Sequence, residues 1–239
     1  MQNRTFRLFV SSTFSDFTQE RALLQTIVFP EIKKYCSSNN LTFQPIDLRW
    51  GVSSEAQLDQ KTLELCLNEV KSSKLNPHPN FLIMAGDRYG WIPLPYLIEE
   101  KEFNSVLNCV ENSDDKKLLN SWYKLDLNQL PASYILNERK DQYKEYSSWE
   151  EIENKLRDIL QTAVNKSNLT TEQKDKYFTS ATEAEVIEGI FKYLTKTPFQ
   201  KKLLEKDLNL EEIDYENVYA YIRNIKSIEN IRLSIYFWK

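Results

Sequence analysis

The sequence predicts an α/β fold of three layers built on a parallel sheet, and three observations carry that prediction. Strand-like apolar runs alternate with stretches of helical period over residues 1–97 of a 239-residue chain. The run Phe81-Leu82-Ile83-Met84-Ala85 is unbroken and apolar, as in strands buried on both faces. Three of only four glycines stand in two segments that follow strand-like runs, Ile46-Asp47-Leu48-Arg49-Trp50-Gly51 and Gly86-Asp87-Arg88-Tyr89-Gly90-Trp91. Glycine is used where a backbone turns sharply or lets a ligand come close, so these two segments read as pocket rims at the end of a sheet.

Phe6-Arg7-Leu8-Phe9-Val10 is the first strand, ended by Ser11-Ser12-Thr13. A helix follows from about Phe17 to Ser37, with Leu23, Leu24, Ile27, Val28, Ile32 and Tyr35 at helical spacing and a kink expected at Pro30. Leu41 to Ile46 is the second strand, and a second helix runs through Leu58, Thr62, Leu65, Cys66, Glu69 and Val70 towards the strand at Phe81. Right-handed crossovers put the first strand between the second and third. The switch point then lies between the first and third strands, flanked by Ser11-Ser12-Thr13 and Gly86-Asp87-Arg88 and overhung by Arg49-Trp50-Gly51.

From Ile98 to Phe178 the chain is rich in Lys, Glu, Asp and Asn, with helix-like stretches such as Trp149 to Val164, and reads as a helical insertion over residues 98–178. Residues 179–239 return to the α/β domain. Ser180 to Leu194 forms an amphipathic helix, helical pattern continues from Leu203 to Ile225, and Arg232 to Phe237 supplies a fourth strand. An end so soon after that strand is expected of a domain at the front of a longer protein.

Composition removes several classes of function. A net charge of -4 without a basic stripe gives no reason to expect nucleic acid. The apolar runs are too short for a membrane span, and the N-terminus lacks a signal-peptide core. Cys36, Cys66, Cys109 and the single His78 lack metal-ligand spacing, which predicts no metal and a reduced, cytoplasmic setting. No phosphate-binding Gly-x-x-x-x-Gly-Lys loop, Gly-x-Ser-x-Gly elbow or Gly-x-Gly-x-x-Gly fingerprint occurs, so a P-loop ATPase, a serine hydrolase and an ordinary dehydrogenase are all disfavoured.

Five motifs in order resemble the domain-of-unknown-function family 4062. They are Phe9-Val10-Ser11-Ser12-Thr13-Phe14 with Glu20-Arg21; Asp47-Leu48-Arg49-Trp50-Gly51-Val52; Cys66-Leu67-Asn68-Glu69-Val70; Gly86-Asp87-Arg88-Tyr89-Gly90-Trp91; and Thr182-Glu183-Ala184-Glu185 followed by the strand at Leu233 to Phe237. The resemblance spans about residues 4–96 and 178–238. This family stands ahead of the NACHT ATPase in vertebrate WD-repeat proteins. It is similar to TIR domains and nucleoside 2-deoxyribosyltransferases, flavodoxin-like folds with a glutamate on a helix beside the switch-point pocket. In enzymatic members that glutamate supports cleavage of an N-glycosidic bond; in many TIR members the domain only assembles partners. Bacterial relatives sit as N-terminal effectors on NTP-driven antiviral sensors. The resemblance therefore implies an innate-immune or signalling effector of a STAND/NACHT sensor, with NAD or a related nucleotide as substrate, no cofactor, and self-association through the parent protein.

Such chemistry needs a carboxylate beside an oxocarbenium-like ribose, and Glu185 and Glu183 compete for the role. The motif favours Glu185, with small Gly189 four positions on. Helical phase favours Glu183, which aligns with Ile187, Ile190, Phe191 and Leu194. Either would also serve in a capping box, Ser180 with Glu183 or Thr182 with Glu185. Ser11, Ser12, Thr13, Arg49, Trp50, Asp87 and Arg88 are the candidate substrate-binding residues. Each has a plainer alternative: hydroxyls capping the first helix, Arg49 paired with Asp47 or Glu55, and Asp87-Arg88 closing its own loop. Tyr89 and Trp91 read as packing residues that hold that loop.

Overall fold

The computed structural model describes residues 4–13, 16–48, 58–191 and 218–223. Strand β1 is Thr5–Ser11, β2 Thr42–Ile46, β3 Phe81–Ala85 and β7 Val218–Ile222. They form one parallel sheet in the order β2-β1-β3-β7, with Phe9 opposite Ile46 on one side and Phe81 on the other. The flavodoxin-like order expected for the first three strands is the order found.

Strand periodicity sorts β1 into two faces. Leu8 and Val10 pack with Phe17, Phe29, Cys36, Phe43 and Met84 under the first helical layer. That layer is α1 (Thr18–Leu23) and α2 (Phe29–Ser38), joined by the π-helical stretch Leu24–Val28. Pro30 acts here. Its ring cannot sit against the carbonyl of Thr26 in a regular α-turn, and the wider i→i+5 turn lies over that carbonyl. The expected kink thus takes the form of a π-bulge one turn earlier.

Phe9 and Ser11 face the other way, towards α3 (Thr62–Ser73) and α8 (Ala181–Val186). Phe9, Cys66, Val70, Phe81 and Ile83 are the buried core of this side, and Val186 and Ile190 pack on it. Glu69 of α3 forms an ion pair with Arg7 of β1 at 2.6 Å.

The insertion is largely helical, as expected, with α4 (Glu100–Asn108), α5 (Ser113–Trp122), α6 (Tyr146–Lys166), which contains the stretch read from Trp149 to Val164, and α7 (Thr171–Asp175). It also carries a three-stranded antiparallel sheet that the sequence reading lacked. Strands β4 (Leu97–Glu99), β5 (Tyr123–Asp126) and β6 (Ser133–Leu136) lie in the order β4-β6-β5. Strands of three or four residues show too little alternation to be told from loop. Ile98, Phe103, Leu119, Leu156, Leu160 and Val164 form a core of their own, separate from both faces of the large sheet.

The C-terminal region needs a second correction. The helical pattern read from Leu203 to Ile225 is broken by β7, which pairs with β3 from Phe81↔Val218 to Ala85↔Ile222. In Val218-Tyr219-Ala220-Tyr221-Ile222 the β-branched and aromatic residues outweigh the helical spacing. The strand expected at Arg232 to Phe237 lies outside the described residues.

Candidate active site

Four chain segments meet at the C-terminal ends of β1 and β3. Strand alternation points Ser11 to the α3/α8 face, where its hydroxyl donates to Glu185 Oε2 at 2.6 Å. The Cys66 thiol, on α3, also hydrogen-bonds to Glu185. Helix α8 begins where the Ser180 hydroxyl accepts the Glu183 backbone N–H at 3.2 Å, and from that start Glu185 turns inward with 6% exposure. Beneath the site lies an ion pair between Arg21 and Asp47, whose side chains are 0% and 2% exposed. Arg21 Nε also donates to Ser12 Oγ at 3.0 Å, which ties the pair to the end of β1.

Burial pushes the Glu185 carboxyl up from the ordinary carboxylate range to about 7. The hydrogen bonds from Ser11 and Cys66 and the charge of Arg21 oppose that rise, while Asp47 adds to it. Burial also raises the Cys66 thiol, and the neighbouring Glu185 carboxylate raises it further. Cys66 therefore acts here as a donor, not as a nucleophile.

Glu185, Cys66, Ser12, Thr13 and Thr62 line a cavity of about 190 Å³, walled on its outer side by Arg88, Gly90 and Trp91. Thr13 Oγ1 is buried there without a hydrogen-bond partner among the described residues. Gly90 has φ +99°, and a Cβ on it would meet Thr13 Cγ2 at 3.0 Å, so both conformation and space require glycine. A second cavity of about 530 Å³ adjoins the first and shares Thr62, Arg88, Gly90 and Trp91 with it.

The expected site residues separate into three groups. Ser11, Ser12, Thr13, Arg88 and Glu185 are brought together, although Arg88 is largely exposed and pairs with Asp16 at 3.8 Å. Glu183 and Asp87 are not: Glu183 is exposed and accepts a hydrogen bond from Tyr89 Oη, and Asp87 is exposed and does not line the cavity. Glu183 misses the buried face because Ile187–Phe191 is a π-turn, across which that face does not carry back at the α-helical period. Arg49 and Trp50 lie outside the described residues.

The plainer alternatives also resolve. No side chain caps α1, so Ser11, Ser12 and Thr13 are not its cap. The Ser180 and Glu183 capping box is half made, with Tyr89 Oη standing between the Ser180 N–H and the Glu183 carboxylate. Tyr89 Oη also lies 3.1 Å from Phe178 O, and Trp91 Nε1 donates to Glu153 Oε1 at 2.7 Å, so both hold the loop as expected. Cys66 and the Arg21–Asp47 pair were missed as site components. Their one sequence signal was their presence in the motifs.

The family model described as Domain of unknown function (DUF4062) matches residues 7–185, and so runs through the insertion as well as the flanking α/β segments. The chain is similar to the human NACHT and WD repeat domain-containing protein 2, 30% identical over 250 residues that cover 95% of this chain and 13% of that protein. It is 35% identical to the mouse NACHT domain- and WD repeat-containing protein 1 over 49% of this chain and 8% of that protein. With the mouse Telomerase protein component 1 it shares 41% identity over 39% of this chain and 3% of that protein. The chain thus spans about an eighth of the length of the first of these relatives and less of the others. No solved structure matches it.

Proposed function

The chain belongs to the DUF4062 family, and on that premise we propose that it is an effector domain that hydrolyses the N-glycosidic bond of NAD or a related nucleotide when its parent protein oligomerises. The observation that carries the reading is Glu185: a buried carboxyl at the sheet's switch point, next to a sugar-sized hollow, with its pKa brought to about 7. In that state a substantial fraction is ionised at neutral pH, and low dielectric strengthens its field on a developing cation.

In the reaction the bond from ribose C1′ to the pyridinium nitrogen breaks, and its electron pair leaves with neutral nicotinamide. The ionised Glu185 stabilises the positive charge that grows on C1′ and O4′. Water then adds to C1′ and yields its proton to the carboxylate or to solvent. Thr13 Oγ1 is an available partner for a ribose hydroxyl, and Ser11 orients the carboxylate. The larger setting is an NTP-driven NACHT sensor in innate or antiviral defence, in keeping with the multidomain relatives.

A second reading is an assembly module without catalysis. It is favoured by the fact that Glu185 already satisfies Ser11 and Cys66 and so would serve as a buried structural acid. The experiment that decides is NAD consumption by the oligomerised parent protein, compared with Glu185→Gln and Glu183→Gln. Loss with Glu185→Gln alone supports the site. No consumption in the activated assembly establishes the assembly reading in its place.

A further inference from the structure

Two of the residues that line the outer cavity of about 530 Å³ each carry a buried nitrogen donor without an acceptor among the described residues. The first is Nε of Arg139, a residue 8% exposed that forms no ion pair among the described residues. Its guanidinium lies over the Trp149 ring, with Cζ 5.9 Å from the centroid. The second is Nε2 of Gln60, held in the turn before α3 at φ +62°. The Arg139 backbone N–H donates to Leu58 O at 2.9 Å, so the segment after β6 is fastened to that same turn. A buried cation without an ion pair is costly, and so is an orphaned amide donor; the two on the wall of one cavity call for an acceptor that carries negative charge.

The acids nearby form no ion pair with Arg139 among the described residues, although the charge of Glu153 acts on it. Glu153 lines the cavity, but its Oε1 already accepts from Arg157 at 2.8 Å and from Trp91 Nε1 at 2.7 Å. Glu150 stands on the same wall without an ion pair to Arg139 among the described residues. Arginine keeps its charge despite burial, and its planar fork suits a phosphate.

We propose that the insertion supplies an anion site, in which Arg139 and Gln60 bind the diphosphate of a nucleotide whose ribose enters the inner hollow beside Glu185. The anion's identity as part of a nucleotide rests on the function proposed above; the anion site itself does not. Arg88 lies on the wall that the two cavities share, where the linking phosphate would pass.

The test is calorimetric titration of the chain with inorganic pyrophosphate at fixed ionic strength. Wild type is expected to bind one equivalent, Arg139→Gln to bind about tenfold or more weakly, and Arg139→Lys to fall between them. Gln60→Ala is expected to weaken binding several-fold. Absence of saturable binding, or affinity unchanged by Arg139→Gln, overturns the proposal. Should that variant fold poorly, the Nε–H resonance of Arg139 in wild type carries the same test: movement during titration supports the site, and a stationary signal overturns it. NAD consumption without pyrophosphate binding would sink the anion site alone. Pyrophosphate binding without NAD consumption would sink the glycohydrolase alone.

Discussion

Glu185 links protonation to folding. Its carboxyl is raised from 4.5 to about 7, so between those values the folded chain keeps a proton that the unfolded chain releases. The stabilisation this gives is complete at acid pH and is lost as pH rises through 7. The magnitude is on the order of 3 kcal/mol. Glu185→Gln cannot titrate, so wild type should lose a few kcal/mol relative to it between pH 5 and pH 8 in paired urea titrations. A pH-independent difference between the two would contradict the raised pKa. The same carboxylate, together with burial, holds the Cys66 thiol protonated. Iodoacetamide at pH 8 should therefore label the partly exposed Cys109 in the native chain and reach Cys66 only after unfolding. Asp47→Asn should be more damaging than Glu185→Gln, at about 3–5 kcal/mol, because it leaves Arg21 charged and buried without the Asp47 carboxylate. Melting temperature reports it directly.

At the scale of elements, α8 and the π-turn that follows it depend on close approach to β3. A Cβ on Gly189 would lie 2.6 Å from Cε2 and 2.7 Å from Cδ2 of Phe81, a ring that is itself 1% exposed and stacked on Phe9 at 5.8 Å. Gly189→Ala should destabilise by about 1–3 kcal/mol through overpacking. Phe81→Leu in the same chain should recover part of that loss, and a strictly additive double-mutant cycle would show that the contact is not the cause. Since the helix carries Glu185, the single variant should also shift the pH dependence described above.

The whole molecule is an α/β domain with an α+β insertion that closes over its switch point, and Trp91 joins the two. Its ring lies on the wall of both cavities, and its Nε1 donates to the buried Glu153 of α6. Trp91→Phe removes that donor and should cost about 1–3 kcal/mol. The loss should appear first as faster hydrogen exchange in the N-terminal half of α6, ahead of exchange in the large sheet; simultaneous loss of protection in both would mean that the two cores unfold as one. The layers, the order of the first three strands and the switch point were legible in the sequence, because alternation and helical period record which face of each element is apolar. Ser12 and Thr13, which line the cavity, and Ser11, which reaches only Glu185, were legible as the polar end of an apolar strand. The short strands β4, β5 and β6 were not, since three or four residues carry too little pattern, and β7 was hidden by spacing that also fits a helix. By itself, then, the sequence determined the fold class and the end of the sheet where a site belongs. Only the tertiary structure decided that Glu185 and not Glu183 turns inward, that Cys66, Arg21 and Asp47 surround it, and that Arg139 of the insertion faces the neighbouring cavity. Those facts depend on a π-turn that shifts helical phase and on contacts between residues far apart in the chain, and neither leaves a local periodic trace.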